Sequence, residues 1–262
     1  NEIAAHRSGS EAAGNAKNIL NDISGSSRPA LAPAPKPRRI LRGHFGKVYA
    51  LHWSDSDASE GEELVSASQD GKLIIWNAMT MNKTAAIHLR SSWVMTCAFE
   101  PTAGQIVACG GLDNLCTIYR VDGNADGSSP PQRMGAISRP HRELAAHDGY
   151  LSCCRFFDEN RIITASGDST CMLWDVNNSK VMQVFKDHSS DVMTVNINPT
   201  DANSFVTGSC DSVAMLWDVR VEGRVDAFGE TDNFGHDSDI NSVHFCQNGK
   251  AFASGSDDAS CK

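Results

Sequence analysis

The stretch SASQDGKLIIW at positions 66–76 recurs as TASGDSTCMLWD at 164–175 and as TGSCDSVAMLWD at 207–218. In each copy a Ser or Thr stands four residues before an Asp, and that Asp stands six before a Trp. A fourth copy, CGGLDNLCTIY at 109–119, keeps the spacing around Asp113 with Cys and Tyr in place of the hydroxyl and the indole. A fifth opens at Ser254 with Asp258 and then meets the end of the sequence. The aligned Asp residues lie 43, 55, 43 and 47 positions apart. Most of the excess in the longest interval is 122–140, rich in Gly, Asn, Ser and Pro, which reads as one long surface loop.

Upstream of the full copies stands a His at a matching place: His44, His147, His188 and His236. Alternating stretches follow, such as VYALHW at 48–53, LSCCRF at 151–156 and VMTVNI at 192–197, each the pattern of a half-buried strand. Every unit therefore reads as two strands, a tight turn at the Asp, a strand ending in Trp and an outer strand. A period of about 43 residues with four strands, Gly-His and Trp-Asp marks is that of a WD40 β-propeller. The expected fold is all-β, with about five blades represented and the last incomplete.

The repeated polar residues have a local physical reason. A buried His can bond the turn Asp on one side and the Ser or Thr hydroxyl on the other, while the Trp N–H closes the chain. A buried polar group without such a partner costs about 1–3 kcal/mol. His44/Ser66/Asp70/Trp76, His147/Thr164/Asp168/Trp174 and His188/Thr207/Asp211/Trp217 are expected to be structural staples of their blades. Ser, His and Asp together invite a hydrolase reading, but a nucleophile is expected once, in a cleft with an oxyanion hole, and here the set repeats at a structural period. An enzyme on a propeller would instead need convergent ionisable groups in the central channel, and the sequence offers none beyond the staples. Cys153 and Cys154 are adjacent and face opposite ways in a strand, no Cys-x-x-Cys pair occurs, and no phosphate-cradling Gly loop appears. No catalytic residue, metal or cofactor is expected.

Composition agrees with a folded chain that binds proteins. Of 262 residues 40% are apolar and 21% charged, enough to bury a core. Lys and Arg number 23 against 32 Asp and Glu, a formal charge of -9, which gives no general attraction to nucleic acid or anionic lipid. No window approaches 18 consecutive apolar residues and no secretory leader opens the chain, so neither a membrane span nor secretion is expected. Nine scattered cysteines read as buried thiols of a reducing compartment, the cytoplasm by default. The first residue is Asn1, so an upstream piece is expected to be missing. Pro29, Pro33, Pro35 and Pro37 make 25–37 a stiff linker. Before it, Ala5, Gly9, Ala12, Ala16, Ile19 and Ile23 recur at steps of four and three, the seam of a short coiled-coil helix over 1–24. Gly9 and Gly14 each cost about 1 kcal/mol of helix propensity, so this tail reads equally as a helix that forms on a partner or as disordered.

The strings RRILRGH at 38–44, LVSASQDGKLIIW at 64–76, LRSSWVMTCA at 89–98, ACGGLDN at 108–114 and GYLSCCRF at 149–156 closely resemble the beta subunits of heterotrimeric guanine nucleotide-binding (G) proteins. The resemblance covers 38–262, taken as the propeller domain. It implies a seven-bladed propeller of which this chain is a fragment, and an N-terminal helix that coils against a gamma subunit. It implies a non-catalytic transducer that holds a GDP-bound alpha subunit and, once released, engages effectors in receptor-coupled signalling. Membrane contact would be indirect, through a lipidated gamma subunit at the inner face of the plasma membrane. The alpha and effector face maps onto Lys47, Tyr49, Lys83, Trp93, Met95, Leu112, Asn114, Tyr150, Asp191, Met193, Asp239 and Asp257. Independently of the resemblance, Lys47, Trp93, Tyr150, Asp191 and Asp239 start successive inner strands, which places them on one rim. The plainer reading of Trp93 is that it packs within its own blade.

Several residues depart from the family pattern. Asp148 stands where Thr is usual and adds negative charge beside Tyr150. The loop at 122–140 is about ten residues longer than usual and is expected on the face opposite the rim. Arg90, Cys109 and Tyr119 stand in place of His, Ser and Trp in the second unit, where the family also lacks the full set, and the weak seam before Ile23 is the departure that bears on gamma binding. The competing reading is another kind of WD40 scaffold, of the ribosome-associated kinase-receptor type, which has no gamma partner.

Overall fold

The strands sort into sheets in chain order. The structure, a computed structural model, describes residues 36–55, 62–121, 136–137, 139–229 and 235–262. Contacts divide the chain into two compact units, Asn1–Ile40 and Leu41–Lys262, and the fold below is that of the second. The helix expected over 1–24 and most of the 25–37 linker lie outside the described residues.

The first sheet holds β1 (Val48–Trp53), β2 (Glu63–Ser68), β3 (Lys72–Asn77) and β4 (Asn82–His88). The second is built from β5 (Val94–Phe99), β6 (Ile106–Gly111) and β7 (Cys116–Arg120), and after β8 (Ala136–Ile137) it is completed by β9 (Arg142–Leu144). The third comprises β10 (Leu151–Phe156), β11 (Arg161–Ser166), β12 (Cys171–Asp175) and β13 (Lys180–Phe185). The fourth comprises β14 (Val192–Ile197), β15 (Ser204–Ser209), β16 (Ala214–Asp218) and β17 (Arg224–Phe228), and a fifth pairs β18 (Ile240–Phe245) with β19 (Phe252–Ser256). Within each sheet the consecutive strands are antiparallel, and among the described residues there is no helix. This is an all-β WD40 propeller, and the described residues form four blades and two strands of a fifth.

Side-chain alternation explains how the blades stack. Neighbours on one strand point to opposite faces, so Ile162 enters the core shared with the second blade while Ile163 enters the core shared with the fourth. Val65, Leu73 and Ile75 likewise pack with Cys97, Phe99 and Val107 between the first two blades, and Val206 packs with Val243 and Phe245 between the last two. The middle strands are buried on both faces, which is why β2, β3, β11 and β15 read as near-continuous apolar or small-residue runs. Each fully buried Ile or Phe contributes about 1.5–3 kcal/mol of hydrophobic stabilisation. The inner strands β1, β5, β10, β14 and β18 pack in that order against one another, so they share one axis.

The long stretch at 122–140 is not loop throughout. Ala136 and Ile137 pair in parallel with Ala86 and Ile87, and β8 becomes a fifth strand on the outer edge of the first blade. An outer strand exposes a row of unpaired backbone groups, and this connection, running from β7 to β9, supplies partners for some of those on β4.

Candidate functional site

Three of the five described blades hold the same full chain of hydrogen bonds, and a fourth holds all of it but the indole. In the third, His147 Nε2 lies 2.7 Å from Thr164 Oγ1 and Nδ1 lies 2.8 Å from Asp168 Oδ2, while Trp174 Nε1 donates to Thr164 Oγ1 at 2.8 Å. The first blade repeats this with His44, Ser66, Asp70 and Trp76, and the fourth with His188, Thr207, Asp211 and Trp217. The fifth brings His236, Ser254 and Asp258 together in the same way, a set visible in the sequence as a His at the matching place and an unfinished fifth copy. A carboxylate only accepts, so Nδ1 carries the imidazole proton; Nε2 then accepts the hydroxyl hydrogen, and the hydroxyl oxygen accepts the indole N–H. Each polar atom is matched, and the hydroxyls that would serve as nucleophiles are buried beneath the Trp.

The turn Asp also ties down backbone. Asp168 accepts the N–H of Asp148 at 3.1 Å and of Thr170 at 3.0 Å, and Asp70 accepts the N–H of Phe45 at 2.8 Å and of Lys72 at 3.1 Å. Burial works to raise the Asp168 carboxyl, but the bonds from Thr170, His147 and Asp148 outweigh it and hold it below the ordinary carboxylate range. The same balance lowers Asp70 and Asp211. Burial pushes His147 the other way, below the usual imidazole value, against the pull of Asp168. Close approach demands glycine beside these groups: a Cβ on Gly149 would lie 2.6 Å from the Asp168 amide nitrogen. The residue after each turn Asp is left-handed, at φ 73° in Gly71, 61° in Asn114, 67° in Ser169, 66° in Ser212 and 64° in Ala259.

Two repeated features build the rim on which the sequence placed its candidate binding residues. The carbonyls of Lys47, Trp93, Tyr150, Asp191 and Asp239 accept the N–H groups of Gln69, Leu112, Gly167, Cys210 and Asp257, at 2.9–3.1 Å. Each residue that starts an inner strand is thereby bonded to the turn of its own blade. Just beyond it every inner strand carries a bulge, with the register slipping between Val48 and Ala50, Val94 and Thr96, Leu151 and Cys153, Val192 and Thr194, and Ile240 and Ser242. The extra residues are Tyr49, Met95, Ser152, Met193 and Asn241, and a bulge re-aims such a side chain relative to the pleat.

The candidate residues meet in small groups. The Tyr49 and Trp93 rings lie 6.3 Å apart and stand 45% and 47% exposed, with Leu112 at 53%. Tyr150 donates its hydroxyl to Asp191 at 2.8 Å and touches the Met193 sulfur at 3.5 Å. Asn114 donates its amide to the Asp148 carbonyl at 3.2 Å, so the unusual Asp148 is part of the rim. Asp257 accepts the side-chain amide of Asn241, a residue the sequence reading missed although it matches Tyr49 in the repeat. Lys83 stands apart, on the outer strand β4, with its ammonium 5.6 Å from the Trp76 ring centroid.

The inner strands carry polar or ionisable side chains at one repeat-equivalent place in four of the five described blades. The fifth residues of the inner strands are His52, Ala98, Arg155, Asn196 and His244. His52 Nδ1 accepts the Phe99 N–H of the next blade at 3.2 Å, and Asn196 Oδ1 accepts the Phe245 N–H at 2.9 Å in the equivalent place. Arg155 donates to the Cys154 carbonyl at 2.6 Å. Burial, then the Arg155 charge, lower the His52 pKa to about 4. His52 and Asn196 thus stitch blade to blade through the backbone. Six cysteines are buried free thiols, and burial pushes up the pKa values of Cys97, Cys109 and Cys171 among them. Among the described residues no group of three or more His, Cys, Asp or Glu could hold a metal ion, and no helix is long and apolar enough to cross a membrane.

The G protein beta WD-40 repeat protein family matches the chain over residues 7–262, the whole of the described fold and much of the tail. The chain belongs to this family. It is similar to the guanine nucleotide-binding protein subunit beta-1 of Caenorhabditis briggsae, with 53% identity over 164 residues, 63% of this chain and 44% of that protein. It is also similar to the guanine nucleotide-binding protein subunit beta of Dictyostelium discoideum, with 49% identity over 183 residues, 70% of this chain and 48% of that one. The chain spans about half the length of the curated relatives it matches.

Proposed function

We propose that this chain is, or is part of, a non-catalytic signal-transducing beta subunit whose bulged rim binds the GDP-bound alpha subunit and, after release, effectors. The observation that carries this reading is the exposed apolar group of Tyr49, which a bulge sets on the rim, Trp93, which starts its inner strand, and Leu112, whose N–H bonds the Trp93 carbonyl, flanked by Lys47 and by the Asp residues of later blades. Large aromatic anchors supply most of the energy of a protein interface, and the surrounding charges favour encounter rate and specificity. Met95 and Met193 are half-buried and adaptable, which suits a surface that must receive more than one partner in turn. Lys83 extends the contact to the side of the first blade, and the buried staple hydroxyls favour binding over catalysis.

The tail before the propeller, which lies mostly outside the described residues, is the segment proposed to engage a gamma subunit, and 38–262 carry the rim. The family match from residue 7 supports this use of the tail. The protein works in the cytoplasm, at the inner face of the plasma membrane, held there through the lipidated gamma partner. Calorimetry with GDP- and GTP-loaded alpha subunit tests the proposal. Trp93→Ala is expected to weaken GDP-alpha binding by about 1–3 kcal/mol, and the wild type is expected to prefer the GDP state. Equal affinity for both nucleotide states refutes it.

A further inference from the structure

The second blade lacks the staple and holds a cavity of about 180 Å³ in its place. All four residues at the staple positions, Arg90, Cys109, Asp113 and Tyr119, line it. Cys109 and Tyr119 are buried in the core shared with the first blade, and Arg90 points to solvent, pairing with Glu143 at 2.8 Å. Where the other blades set an imidazole between a hydroxyl and a carboxylate, this one has neither imidazole nor indole. The carboxylate remains. Among the described residues Asp113 accepts only the Leu115 N–H, at 3.4 Å, whereas Asp168 receives His147, Thr170 and the Asp148 amide.

We propose that this cavity is a binding site for a small planar heteroaromatic ring bearing an N–H donor, of the imidazole or indole class, with its N–H directed at Asp113. Size limits the ligand: sites for drug-sized molecules run to about 300–1,000 Å³, while a cavity of about 150 Å³ holds benzene. One or two fused rings fit. Chemistry limits it further, because Leu89, Val94 and Leu115 supply apolar wall and Asp113 an acceptor that the sister blades satisfy with an imidazole N–H. Trp93 lines the cavity as well, so the occupant lies beside the rim.

The test is titration of the full chain with benzimidazole, indole and benzene, followed by NMR. The expected result is saturable benzimidazole binding with intermolecular contacts to the methyl groups of Leu89, Val94 and Leu115. Benzene, with no donor, is expected to bind at least roughly tenfold more weakly, the loss of one charge-assisted hydrogen bond. Asp113→Asn is expected to bring benzimidazole toward the benzene value without altering the fold, since Asp113 is exposed. Building the staple with Arg90→His, Cys109→Ser and Tyr119→Trp fills the site and should abolish binding; circular dichroism checks that this variant folds, and the methyl contacts in the native chain stand without it. No saturation below about 10 mM, contacts elsewhere, or an unchanged affinity in Asp113→Asn overturns the proposal.

Discussion

In the third blade, His147, Thr164, Asp168 and Trp174 close an unbroken chain of hydrogen bonds; in the second, Arg90, Cys109, Asp113 and Tyr119 occupy the same positions and leave a cavity. Both blades nevertheless have four antiparallel strands, a bulge at the start of the inner strand and a left-handed residue after the turn Asp. The staple is therefore not what makes a blade. What the two share is packing between neighbours: Ala108 and Ile118 from the second blade join Cys154 and Ile162 from the third in one core. Interblade burial sets the architecture, and the staple adds stability and fixes the turn to the inner strand.

If that division is right, the largest effects come from breaking a staple. Asp168→Ala should cost about 2–4 kcal/mol, because His147 loses its buried partner and the Asp148 amide its acceptor, while Asp113→Ala should cost about 0.5 kcal/mol or less, as expected of a surface substitution. Urea unfolding of both variants measures the difference, and equal midpoints would remove the distinction between the blades.

Acid is expected to act in two separate steps. His52 has its pKa lowered to about 4 from 6.5, so the unfolded chain binds more protons in that interval and stability falls as the pH drops from 6.5 to 4. Asp70, Asp168 and Asp211 are held below the ordinary value, so their contribution is full above that value and is lost as the pH falls through their folded pKa values. His52→Asn copies the Asn196 bridge of the fourth blade and should flatten the upper step while sparing the lower one. Unfolding midpoints across pH 7 to 3 would read both steps, and an unchanged upper step in the variant would assign it elsewhere, with His147 the next candidate.

The smallest effect lies in the turns. Ala259 holds φ 64° where the first blade has Gly71, and Ala259→Gly should stabilise by about 1 kcal/mol through relief of left-handed strain. Ser169→Gly in the stapled third blade should gain a similar amount. Thermal unfolding that showed a loss in either variant would mean that the side chain does more than tolerate the turn.

Much of this was legible in the sequence because it is local. A turn at Asp, a hydroxyl four residues before it and an indole six after it lie on two adjacent strands, so spacing alone brings them together, and the His-Asp pairs of four blades give the same geometry. The order of residues at the rim followed from repeat position in the same way, as the matching carbonyl bonds of Lys47, Trp93, Tyr150, Asp191 and Asp239 show. Tertiary structure decided the rest. Alternation names the face of a strand but not its register, so the bulges that re-aim Tyr49 and Met95 could not be read from it. The pairing of β8 with β4 depends on an edge 50 residues away, Ala86 to Ala136, and no two-residue strand carries a pattern of its own. The His52 and Asn196 bridges and the open space beside Asp113 arise where atoms of neighbouring strands and blades meet or fail to meet, and a one-dimensional period does not contain those distances.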